Sequence, residues 1–221
     1  MRKANYDKFP STKLTGMLVQ GWDSIISMLK KKMDARKVLA VDLYTGVYEE
    51  EVLDAFSKEF SGRVMNVRDL MKPEKEIQTL TERFMTEDVL FGYVTNLKLE
   101  DYLDADKVAA ARKQISEAKE TIVIIGTGAV VAPQDAMVVY ADMARWEIQQ
   151  RFRRHEVKAL GIDNRNDAVS LQYKRGYFND WRVCDRYKER LFDRVEFWID
   201  THVAGTPKMI DKDTFFKGVE A

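Results

Sequence analysis

Residues able to do chemistry fall into four clusters. The first is KVLAVDLYTGVYEEEVLDAF, residues 37–56, where an apolar run ends in Asp42, turns at Thr45-Gly46 and meets three glutamates, Glu49 to Glu51. A strand, loop and helix in this order form the frame in which backbone N–H groups and a helix N-terminus cradle phosphate. A working phosphate loop reads G-x-x-x-x-G-K-[ST], its Lys neutralising charge and its hydroxyl holding magnesium. Laid on that pattern, the first Gly falls on Leu43, the second on Tyr48, the Lys on Glu49 and the hydroxyl on Glu50. All four specific positions are lost, and Glu for Lys reverses the charge a triphosphate needs. Glutamates at a helix N-terminus suit the helix dipole instead. Ordinary ATP binding is not expected here.

The second cluster is Gly126-Thr127-Gly128-Ala129, directly after the apolar run TIVII. Glycines there permit close backbone approach to a ligand or a tight left-handed exit from a strand. The third is the arginine-rich stretch from Arg145 to Glu156. Arg151 and Arg154 lie three apart, near one helical face, and Arg suits bidentate phosphate recognition. His155 is the near-neutral titrating group of that stretch. The fourth, residues 174–182 (KRGYFNDWR), mixes aromatic and basic side chains suited to stacking on a sugar, a base or a protein. Asp180 and Asp185 could be read there as a paired acid and base.

Elements that would position these clusters follow from apolar periodicity. Helices are expected over Trp22–Met33, 49–60, 73–85, 105–118 (with Asp104 as its cap), 145–157, 167–174 and 214–220. On the 145–157 helix, Trp146, Ile148 and Phe152 are the expected apolar contacts. Strands are expected at 38–42, 63–67, 121–125 and 136–141, with an edge or near-edge strand within 195–203. Residues 89–96 fit a strand or an aromatic loop. Strands alternating with helices predict a three-layer α/β domain with a mostly parallel sheet. Residues 1–21 read as an extended arm, and 22–221 as one domain. Ligands of such sheets bind beyond the carboxyl ends of the strands. That rule selects Asp42, Gly46, Gly126, Thr127, Gly128, Arg145, Arg151 and Arg154 as candidate ligand- or phosphate-binding residues.

The 221 residues carry 36 Lys plus Arg against 36 Asp plus Glu, so no global pull toward nucleic acid or membrane follows. Two histidines and one cysteine, Cys184, are too few for a closed zinc site and exclude an internal disulfide. Neither a signal peptide nor an apolar span of membrane length is read, which with the lone cysteine predicts a cytoplasmic protein; no metal or cofactor is expected.

Five stretches carry a family likeness: RKANYDKFPSTKL, VDLYTGVYEEE, YADMARWEIQQRFRRHEVKALGIDNR, YKRGYFNDWRVCDRY and DTHVAGTPKMIDKDTFFKGVE. With them the chain resembles the N-terminal region of large mannose-6-phosphate isomerase homologues of Bacteroides-type bacteria, a region that precedes a cupin-type isomerase domain. Within it, the order of elements is similar to P-loop nucleoside kinases of the uridine kinase type, here with a degenerate phosphate loop. Arg145, Arg151, Arg153 and Arg154 match the lid-side arginines of such kinases loosely. The zinc chemistry of the cupin barrel does not transfer to this stretch. The resemblance implies a non-catalytic accessory or regulatory domain that binds a phosphorylated sugar or nucleotide, partnered by a C-terminal cupin domain if fused. A small-molecule kinase with an unorthodox loop and an oligomerisation or docking module are the alternatives, the latter through the N-terminal arm and residues 177–181.

Overall fold

The run Val38–Leu43 is buried at every position, and so is Ile122–Gly126. Strands with no polar alternation must be covered on both faces, which puts them at the centre of a sheet. The computed structural model describes residues 13–220, and residues 1–12 of the expected arm lie outside them. Its strands are β1 (Val19–Gln20), β2 (Val38–Leu43), β3 (Arg63–Asn66), β4 (Ile122–Gly126), β5 (Met137–Asp142), β6 (Phe197–Asp200) and β7 (Lys208–Asp211). They form a seven-stranded sheet in the order β1-β7-β6-β5-β2-β4-β3. From β3 through β6 in that order neighbours are parallel, whereas β7 and β1 add antiparallel. The protein is thus an α/β fold with a mixed sheet.

Helices α1 (Trp22–Met33), α2 (Glu49–Glu59), α3 (Glu74–Met85), α4 (Ala105–Glu117), α5 (Arg145–Arg153), α6 (Val169–Arg175), α7 (Trp181–Glu189) and α8 (Lys212–Glu220) complete the fold. Each long helix turns one apolar stripe inward, as Ile25, Ile26, Leu29 and Met33 of α1 do. Full burial of each such side chain contributes about 1.5–3 kcal/mol. Asp104 caps α4 as its sequence suggests, accepting from the N–H groups of Asp106 and Lys107 at 3.0 and 3.1 Å.

Several elements differ from the sequence reading. The expected strand within 195–203 narrows to β6 and lies inside the sheet, because β7 and β1 extend it further. The expected helix over 145–157 stops at Arg153, where Arg154 caps it and His155 takes a left-handed φ of 57°. Trp146, expected to pack inward, is 63% exposed. Of the two readings of residues 89–96 the structure has the loop, while Gly176–Asp180 is a π-helical turn between α6 and α7.

This topology fixes where a site can form. The chain leaves β2 toward β3 on one side, and leaves β5 toward β6 on the other. Adjacent parallel strands whose connections diverge open a crevice at their carboxyl ends. Asp42 and Leu43 of β2 and Asp142 of β5 lie at those ends.

A candidate site closed by its own side chains

The loop leaving β2 keeps one further sheet contact, Tyr44 N donating to Ala141 O at 2.9 Å. Gly46 then turns with φ 98°, and a Cβ there would lie 2.9 Å from the Ile148 side chain of α5. Only glycine allows this approach, so α5 rests directly on the loop. Arg151 follows Ile148 by three residues and therefore points the same way. Its side chain is fully buried. Nη1 donates to Gly46 O at 2.8 Å, Nη2 to Thr201 O at 2.7 Å, and Nε to Glu147 at 3.1 Å. The guanidinium also lies 3.8 Å from the centre of the Tyr48 ring. A buried cation survives only when paired and hydrogen-bonded, and Arg151 is both.

Glu49, Glu50 and Glu51 each tie the start of α2 to another element. Glu49 accepts from Arg68 at 2.7 Å and Glu50 from Lys158 at 3.0 Å. Glu51 accepts from the indole N–H of Trp22 at 2.8 Å and from Gly205 N at 3.0 Å. Arg154 bridges Glu147 and Glu156, both at 2.9 Å, and Glu156 also accepts from the Tyr48 hydroxyl. What remains between the loop, Arg68, Thr127 and residues 156–161 is a recess of about 40 Å³. Ligand pockets generally need several hundred Å³. This one accommodates little beyond water.

Asp42 ends β2 fully buried. It accepts from Gly128 N at 3.1 Å, Val130 N at 3.3 Å and the Tyr187 hydroxyl at 2.6 Å. Burial pushes its carboxyl up to about 7, against the opposing pull of those donors. The loop after β4 thus folds onto Asp42. Gly126 has φ 133° with Val67 against it, and Gly128 has φ 102° with Leu99 against it. Both glycines serve close packing of protein on protein, while Thr127 is half-buried at the recess.

Arg145 belongs to a separate, half-exposed network. Its Nη2 donates to Asp185 at 2.9 Å and to the Tyr44 hydroxyl at 2.8 Å, with the guanidinium 4.4 Å from the Trp181 ring. Tyr44 in turn donates to Asp185 at 2.6 Å, and Lys188 pairs with Asp142 nearby. Asp180 does not join Asp185 as an acid–base pair. It is buried beside Arg175 at 3.5 Å, accepts from Leu160 N, and its carboxyl is pushed up by burial. A larger hollow of about 320 Å³ opens at the ends of β5 and β6, lined mainly by apolar groups including Met143, Trp198 and Phe215.

The structure therefore brings Asp42, Gly46, Gly126, Thr127, Gly128 and Arg151 together around the loop, holds Arg154 on Glu147 and Glu156, and gives Arg145 to a second network that meets the loop at Tyr44. Arg68, Lys158, Tyr48 and Tyr187 complete the arrangement and were not among the sequence candidates. The signal for Arg151 was present: Ile148, Arg151 and Phe152 share one helical stripe, which places an arginine among core positions. Among the described residues no group of three or more His, Cys, Asp or Glu side chains could hold a metal ion, and no helix is long and apolar enough to cross a membrane.

Fold and site together define an α/β domain whose β2 loop is closed by the chain's own ion pairs. The chain belongs to the family described as Domain of unknown function (DUF8485), whose model matches residues 21–221. No curated protein matches the chain.

Proposed function

We propose that this chain is a non-catalytic accessory domain on a degenerate P-loop, nucleoside-kinase-like plan, serving a sugar-phosphate isomerase homologue in the cytoplasm. The buried Arg151 carries the non-catalytic part. Phosphoryl transfer needs cationic groups free to neutralise charge developing on the transferred group. Here the arginine facing the loop is spent on Gly46 O, Thr201 O and Glu147. Glu49 to Glu51 put negative charge where a triphosphate would sit, and Glu49 and Glu50 engage Arg68 and Lys158, the cations beside the recess. A phosphorylated sugar or nucleotide, the ligand that the resemblance implies, would have to displace two carboxylates to reach them, so the accessory role proposed here involves no such ligand at this loop. The isomerase link rests on the resemblance of the quoted stretches, and the single buried thiol, Cys184, suits a reducing compartment.

Calorimetry with magnesium-ATP, UDP-glucose, mannose 6-phosphate and fructose 6-phosphate at millimolar concentration tests the closed loop. No saturable heat is expected from any of them. Magnesium-dependent ATP turnover would overturn the reading in favour of a kinase. Titration against a cupin-type isomerase domain of the resembling proteins tests the accessory role. Saturable association, or a changed rate of mannose 6-phosphate isomerisation, supports it; the absence of both contradicts it.

A further inference from the structure

Loop 86–96, which joins α3 to the Leu99–Tyr102 turn, is ordered by its own hydrogen bonds and yet faces outward with large apolar side chains. Asp88 accepts from Leu90 N and Phe91 N, both at 2.7 Å, and the Thr86 hydroxyl donates to Phe91 O at 2.6 Å. Tyr93 N donates to Phe84 O at 2.8 Å and Thr95 N to Phe178 O at 2.9 Å. The ammonium of Lys174, a buried residue, binds the carbonyls of Thr86 and Asp88. Despite this, Val89, Leu90, Phe91, Tyr93 and Val94 are between 56% and 69% exposed.

The surface continues past the loop. A Cβ on Gly92 would lie 3.1 Å from the Phe178 ring, so the loop rests on the π-helical turn. The Phe178 ring meets Tyr177 at 5.0 Å, and Tyr177 stacks on Tyr173 at 6.4 Å; both tyrosines are 41% exposed. The exposed surface of these residues, backbone and hydroxyls included, is on the order of 800 Å². That is about what one partner buries in a standard protein interface.

We infer that this surface joins two copies of the chain in an isologous dimer, with Phe91 and Tyr93 near the two-fold axis. Three observations select a second copy. The area is enough for one stable symmetric contact. Neighbouring charges carry both signs, Glu87 and Asp88 beside Arg83 and Arg182, so the patch can meet itself without like-charge conflict. Finally, 36 basic against 36 acidic residues leave no net charge to hold copies apart. Aromatic side chains on a rigid loop are the usual anchors of such contacts. The inference goes beyond the closed-loop reading and does not depend on it.

Sedimentation equilibrium of the full chain between 1 and 100 µM tests this. The expected result is twice the chain mass at the upper end, and at least 100-fold weaker association in a Phe91→Asp/Tyr93→Asp variant. A wild-type monomer at 100 µM, or a variant dimer of unchanged strength, would overturn it. Hydrogen exchange of the wild type needs no variant to fold. Amides of residues 89–94 should exchange more slowly at 100 µM than at 1 µM, and equal rates would refute the dimer.

Discussion

Arg151 and Asp42 are the two buried ionisable residues on which the carboxyl end of the sheet depends, and they act oppositely. Arg151 is charged and fully partnered, linking α5 to the β2 loop and to the carbonyl of Thr201 after β6. Arg151→Met keeps the apolar stem and deletes three donors, leaving buried carbonyls unpaired. A loss of about 3 kcal/mol in urea denaturation is expected. A change below about 0.5 kcal/mol would mean that the guanidinium does not hold the loop. Asp42 is harder to ionise in the folded chain, its carboxyl pushed by burial from an ordinary 3.8 to about 7. Between those values the folded protein keeps a proton that the unfolded chain has released, so stability falls as pH rises through the window. Compared with Asp42→Asn, wild type should lose roughly 3 kcal/mol from pH 4 to pH 7. Parallel stability profiles for the two proteins would sink the raised pKa.

At the scale of elements, the site is a contact between the β2 loop, α5 and the start of α2, with Gly46 at its tightest point. Gly46→Ala would place a methyl 2.9 Å from Ile148 on a backbone of φ 98°. A destabilisation of about 2 kcal/mol, or roughly 4–8 °C in melting temperature, is expected. Introducing three of the four phosphate-loop residues by Tyr48→Gly, Glu49→Lys and Glu50→Ser should not confer ATP turnover, because Arg151 and Ile148 still fill the loop. Measurable turnover in that triple variant would show that the loop opens. Much of this layer was legible in the sequence. The runs VLAV, TIVII and MVVYA mark β2, β4 and β5 because strands covered on both faces must be apolar throughout. Asp42 at a strand end and the glycines after TIVII followed from the same reasoning. β1 and β7 were not legible, since two to four residues paired antiparallel at an edge leave no periodicity to read. Nor was the destination of Arg151, because helical spacing gives its face while tertiary packing decides what that face meets. Arg68 and Lys158 were invisible for a related reason: their partners lie 19 and 108 residues away.

For the whole molecule, a parallel-stranded frame is kept while the crevice it would open is filled by the chain's own charges. Glu49, Glu50 and Glu51 connect the start of α2 to the segment after β3, the loop after α5, α1 and the β6–β7 connection. The start of α2 is thereby a junction that fastens the outer elements to the sheet. The crevice keeps about 40 Å³, whereas the apolar hollow beside β5 and β6 keeps about 320 Å³. Isothermal titration of the full chain with magnesium-ATP at millimolar concentration tests this most directly. No saturable heat is the predicted result. Saturable one-to-one binding that weakens at least tenfold in Arg68→Ala or Lys158→Ala would contradict it, because those cations would then be serving phosphate rather than Glu49 and Glu50.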